Sequence, residues 1–76
     1  MDERQETRNE RFKRLANARM NKCLKQLQLI ENLSNRSNYD WSEEEAKKIV
    51  ATLKQSVASI EMKFKQNEDT KRTFKL

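Results

Sequence analysis

Apolar side chains recur at alternating intervals of four and three residues along two stretches of this chain, a spacing that leaves little choice of fold. The first run is Ala16, Met20, Cys23, Leu27 and Ile30; Phe12 extends it by one turn, and Leu15, Leu24 and Leu33 widen it. At about 100° per residue these positions share roughly half of a helix circumference. The second run repeats the arithmetic with Ala46, Val50, Leu53, Val57, Ile60 and Phe64, and Ile49 lies beside it. Strand-like alternation is absent, and the sequence contains neither glycine nor proline to interrupt either run. Two such seams joined by a short link predict an all-α fold, an antiparallel two-helix hairpin of the coiled-coil kind. The expected layout is one hairpin domain over residues 1–66, with a helix over about 3–33, a turn over 34–42 and a helix over about 43–66. Residues 67–76 lose the periodicity and read as a frayed basic tail.

The link, Asn32 to Glu45, carries its own signals. Ser42 is placed to cap the second helix, and Glu45 stands three residues later to complete a capping box. Glu43 and Glu44 add negative charge to the first turn, where the helix dipole favours it. Upstream, Asn32, Asn35 and Asn38 supply what glycine usually supplies, because asparagine tolerates the left-handed conformation better than other side chains. Asn35 is the expected residue to end the first helix in that conformation.

Size and composition limit how such a hairpin is stabilised. With 76 residues, 34% of them hydrophobic and 38% charged, one hairpin has only a thin core to build. Small chains then recruit disulfides, a metal or another subunit. Cys23 is the single cysteine and there is no histidine, which excludes an intramolecular disulfide and a zinc set and leaves no cofactor expected. Self-association remains: two hairpins packed face to face form a homodimeric four-helix bundle, with Met20 and Cys23 inside it as small hydrophobes. The opening MDERQETRNER has no apolar core, and no apolar run approaches the ~18 residues of a membrane span. The expectation is a cytoplasmic protein with no membrane partner.

An enzyme is not expected. No serine or cysteine stands at a recognisable distance from a base, and no glycine-rich loop exists to hold a phosphate-bearing substrate. Glu43, Glu44 and Glu45 are consecutive and point in different directions around a helix start. The charge is more informative. With a net charge of +5, the basic residues Arg4, Arg8, Arg11, Arg14, Arg19, Lys22 and Lys25 occupy one flank of the first helix, roughly 200° to 340° from Phe12. Glu3, Glu6, Glu10 and Glu31 lie elsewhere, between roughly 100° and 180°. Two readings stay open: pairing of an acidic flank with the basic flank of a second copy, or a row that tracks phosphates. On the second reading Arg4, Arg8, Arg11, Arg14, Lys22 and Lys25 bind the backbone, while Arg36 and Tyr39 at the turn contact unstacked bases.

The run Arg11-Phe12-Lys13-Arg14-Leu15-Ala16, the turn Asn32-Leu33-Ser34-Asn35-Arg36-Ser37-Asn38-Tyr39 and the restart Ser42-Glu43-Glu44-Glu45 resemble those of small uncharacterised helical-hairpin proteins of bacterial mobile elements. That resemblance implies no particular activity. In length, hairpin pattern and the Arg11-Phe12 pair the chain is also similar to the plasmid repressor-of-primer family. That likeness implies a dimeric four-helix bundle that binds paired RNA loops. The chain departs from it by a longer first helix, an asparagine-rich turn and a lone tryptophan, Trp41. The function expected from residues and resemblance together is a non-enzymatic nucleic-acid-binding module, for structured RNA over DNA. The alternative is a small interaction subunit that regulates a larger protein or ribonucleoprotein through its apolar stripe and basic flank.

Overall fold

The computed structural model describes residues 5–69, and among them it has two α-helices and no strand. Helix α1 runs over Arg8–Asn32 and α2 over Glu43–Asp69. The chain divides at the Asp40–Trp41 bond into two compact units, one carrying α1 and the turn that follows it, the other carrying α2.

Helix α1 begins five residues after the expected start near residue 3, and the reason is Thr7. Its backbone is extended, with φ −75° and ψ 166°, and its side chain closes a reciprocal cap with Glu10. The Glu10 amide donates to Thr7 Oγ1 at 3.0 Å and the Thr7 amide donates to Glu10 Oε1 at 2.8 Å. The Arg11 amide then donates to the Thr7 carbonyl, 3.0 Å, as the first helical bond. Two amides that a helix start leaves orphaned are thereby satisfied. Gln5 and Glu6 precede the cap and are not helical.

The far end of α1 corrects the expected role of Asn35. No described residue has a positive φ, so the helix does not end in a left-handed residue. It tightens instead. Amides of Leu33, Ser34 and Asn35 donate three residues back, to the carbonyls of Ile30, Glu31 and Asn32, at 3.0, 3.0 and 3.3 Å. Leu33 keeps right-handed angles, φ −68° and ψ −14°. This satisfies the last carbonyls without the ~1–2 kcal/mol cost of a left-handed residue bearing a Cβ. Asn35 organises the turn with its oxygens: its carbonyl accepts from the amides of Asn38 (3.1 Å) and Tyr39 (3.0 Å), and its Oδ1 accepts from the Ser37 amide at 2.9 Å. A side chain that imitates a backbone turn does here what glycine would do by conformation.

Helix α2 starts at Glu43, behind the capping box that the sequence signals. The Ser42 amide donates to Glu45 Oε1 at 2.8 Å, the Glu45 amide to Ser42 Oγ at 3.1 Å, and the Ala46 amide to the Ser42 carbonyl at 3.1 Å. The helix continues to Asp69, three residues past the expected end. An exposed Lys65–Glu61 pair at 3.8 Å and a bond from Asn67 Nδ2 to the Lys63 carbonyl, 3.0 Å, span its last turns. Residues 70–76, the rest of the expected tail, lie outside the described residues.

No described residue is buried. Along α1, Leu15, Ala16, Leu27 and Ile30 are half-buried, and along α2 Ala46 and Leu53 are; Trp41 is half-buried as well. Phe12, Met20, Val57 and Phe64, all on the two stripes, are 53%, 55%, 64% and 60% exposed. Soluble chains rarely leave contiguous apolar surface of this kind uncovered. Among the described residues no helix is long and apolar enough to cross a membrane.

Candidate nucleic-acid interface

Because α1 is unbroken from Arg8 to Asn32, its angular arithmetic holds along the whole length. Arg8, Arg11, Arg14, Arg19, Lys22 and Lys25 are all exposed and share one flank, separated from the centre of the apolar stripe. Within α1, seven basic residues (these six and Lys13) face two acidic ones, Glu10 and Glu31. Helix α2 is balanced: Lys47, Lys48, Lys54, Lys63 and Lys65 are offset by Glu43, Glu44, Glu45, Glu61, Glu68 and Asp69. Among the described residues the positive charge is therefore concentrated on α1, where neighbouring cations reinforce each other's attraction for a polyanion.

The remaining expected site residues fall elsewhere. Arg36 and Tyr39 are exposed in the turn after α1, with about 30 Å of helix between them and Arg11. The turn lies beyond the C-terminal end of the helix that carries the row. Arg4 lies outside the described residues.

Arg14 is not an open cation. Its guanidinium is paired with the Glu6 carboxylate in a two-pronged contact: Nε donates to Oε2 at 2.7 Å and Nη2 to Oε1 at 3.0 Å. The sequence periodicity places Glu6 on the acidic flank, eight residues before Arg14. In a continuous helix eight residues advance the axis by about 12 Å, too far for this contact. The cap at Thr7 releases Glu6 from the helix and lets it lie back along the first turns. The Thr7-x-x-Glu10 spacing was the available signal for this pair. Both partners remain solvated, with side chains 59% (Arg14) and 37% (Glu6) exposed, so the pair exchanges readily with other ions.

The pair leaves a titration signature. The hydrogen bond from Arg14 holds the Glu6 carboxyl below its ordinary range; desolvation opposes it, and the charges of Arg14 and then Arg11 add to the lowering. Arg14 is correspondingly raised, by its hydrogen bond to Glu6 and then by the carboxylate charge. A depressed carboxyl pKa contributes stability above the unfolded value and loses it as pH falls through the folded one. On acidification the Glu6 carboxyl carbon is expected to titrate below the ordinary glutamate range by NMR, and Arg14→Gln is expected to return it there. An unchanged midpoint in the variant would remove the pair from consideration.

No family model, curated protein or solved structure matches this chain. The described residues offer a partner two features: a cationic flank on one helix and an exposed apolar stripe on each.

Proposed function

We propose that this chain is a non-enzymatic nucleic-acid-binding module that presents the basic flank of α1 to structured RNA. The observation that carries the proposal is the placement of six exposed cations on one flank of an unbroken helix, clear of that helix's acidic residues and of the centre of its apolar stripe. Phosphate contacts from such a flank supply affinity, and contacts of Arg36 and Tyr39 at the turn with unstacked bases supply what discrimination there is. The apolar stripes have a separate task. We propose that α1 and α2 close as an antiparallel hairpin and that a second copy covers the remaining width as a cytoplasmic four-helix bundle, the architecture of the repressor-of-primer family. Exposure of both stripes supports this arrangement, since a chain this short gains its missing burial from a second subunit.

Protein purified at low salt is expected to carry nucleic acid, seen as excess absorbance at 260 over 280 nm, and to lose it on ribonuclease treatment. Protein free of nucleic acid both before and after would count against the proposal. Sedimentation of the stripped protein at micromolar concentration is expected to give about twice the 9.2 kDa chain mass. The exposed stripes also suit a second reading, a subunit that docks on a larger protein. A folded monomer in the same sedimentation run would favour that reading.

A further inference from the structure

The Glu6–Arg14 pair shows the basic flank already holding an oxyanion. Gln5 and Glu6 lie ahead of the Thr7 cap in non-helical backbone. From there the Glu6 carboxylate meets the Arg14 guanidinium side by side, at 2.7 and 3.0 Å. A guanidinium presents the same paired donors to a carboxylate and to a phosphate. The carboxylate therefore fills the position at which Arg14 would take a phosphate. Arg11, one turn back along α1, adds its charge there. The anion is thus seated on the flank itself, among the cations proposed above to meet RNA.

The pair suits exchange better than it suits holding the fold. Exposed ion pairs contribute little to stability, and both side chains here are solvated. The helix start does not depend on Glu6. Thr7 and Glu10 close the cap between themselves, and the Arg11 amide makes the first helical bond to the Thr7 carbonyl. Withdrawing the Glu6 side chain breaks none of these bonds. It changes the charge that Arg14 presents, and little else.

Resting on the nucleic-acid reading above, we infer that Glu6 is an internal competitor for RNA: its carboxylate occupies Arg14 in the free protein, and a phosphate gains that contact only by displacing it. The exchange replaces two charge-assisted hydrogen bonds to a carboxylate by the same two to a phosphate. Glu6 therefore lowers affinity without abolishing binding. Arg8, Arg11, Arg19, Lys22 and Lys25 draw the RNA backbone to the helix, and a phosphate held near Arg14 by those contacts competes at high effective concentration.

The test is fluorescence anisotropy at low salt with a labelled RNA hairpin. Full-length protein is compared with Glu6→Gln, Glu31→Gln, Arg14→Gln and the double variant Glu6→Gln with Arg14→Gln, each checked for helix content by circular dichroism. Glu31→Gln also removes one exposed negative charge from this half of the chain, but its position is off the flank, roughly 100° from Phe12. Glu6→Gln is expected to tighten binding about three- to fivefold, and Glu31→Gln to change it less than about twofold. On the Arg14→Gln background, where there is no fork to compete for, Glu6→Gln is expected to change affinity less than about twofold. Tightening by Glu6→Gln that is the same with and without Arg14 would reduce Glu6 to general repulsion and overturn the competition, while leaving nucleic-acid binding in place. So would equal effects of Glu6→Gln and Glu31→Gln. Failure of the parent and of every variant to bind would overturn both.

Discussion

Leu27→Ala and Leu53→Ala are each expected to destabilise the folded assembly by about 2–5 kcal/mol. Leu27 stands in the middle of the first stripe and Leu53 in the middle of the second, and both are half-buried against their own helix. A two-fold bundle would complete their burial, so truncation removes apolar contact and leaves a cavity at the centre of the seam. Stability and association are linked in such an assembly, because only the associated form is fully covered. Thermal melts at several protein concentrations are therefore expected to show lower midpoints for both variants, with a steeper dependence on concentration. Gln66→Ala, at an exposed position near the end of α2, is expected to melt like the parent. If all three variants behave alike, the two stripes do not form the seam.

Arg11→Glu combined with Lys22→Glu is expected to weaken binding to structured RNA by about 100-fold at low salt and to flatten its salt dependence by about two. The two positions share the basic flank, about 16 Å apart along the helix axis. Both side chains are exposed, so the fold has little reason to respond. Each lost phosphate contact leaves one counterion unreleased, and the logarithmic slope of affinity against salt reports that loss directly. Thermal melting of the double variant is expected to stay close to the parent. A variant that melts normally and keeps the parental slope would show that this flank does not meet phosphate.

How much of this was legible in the sequence differs from element to element. The apolar spacing identifies both helices because apolar phase is a strong signal, and Ser42 with Glu45 gives the start of α2. Thr7 with Glu10 is the same kind of signal, yet it is overshadowed. Arg4, Arg8 and Arg11 continue the charge pattern upstream, and no apolar residue before Phe12 fixes where the helix phase begins. Asn35 was identifiable as a turn residue but not in its manner of acting. Conformational preference suggests a left-handed residue, whereas the side-chain oxygen offers a bond at lower cost. The basic flank was readable because α1 is unbroken. The occupation of Arg14 by Glu6 was not, since contact across eight residues requires the helix to have stopped between Glu6 and Arg8. The width of the apolar stripes is written in the chain, but what covers them is not.

The central claim, that α1 is a phosphate-binding helix, is tested most directly by measuring affinity for a structured RNA across a range of salt concentrations. With the six cations of the flank engaged, the logarithm of affinity is expected to fall linearly with the logarithm of salt, with a slope of about four to five. Absence of binding at low salt, or a slope near zero, would contradict it.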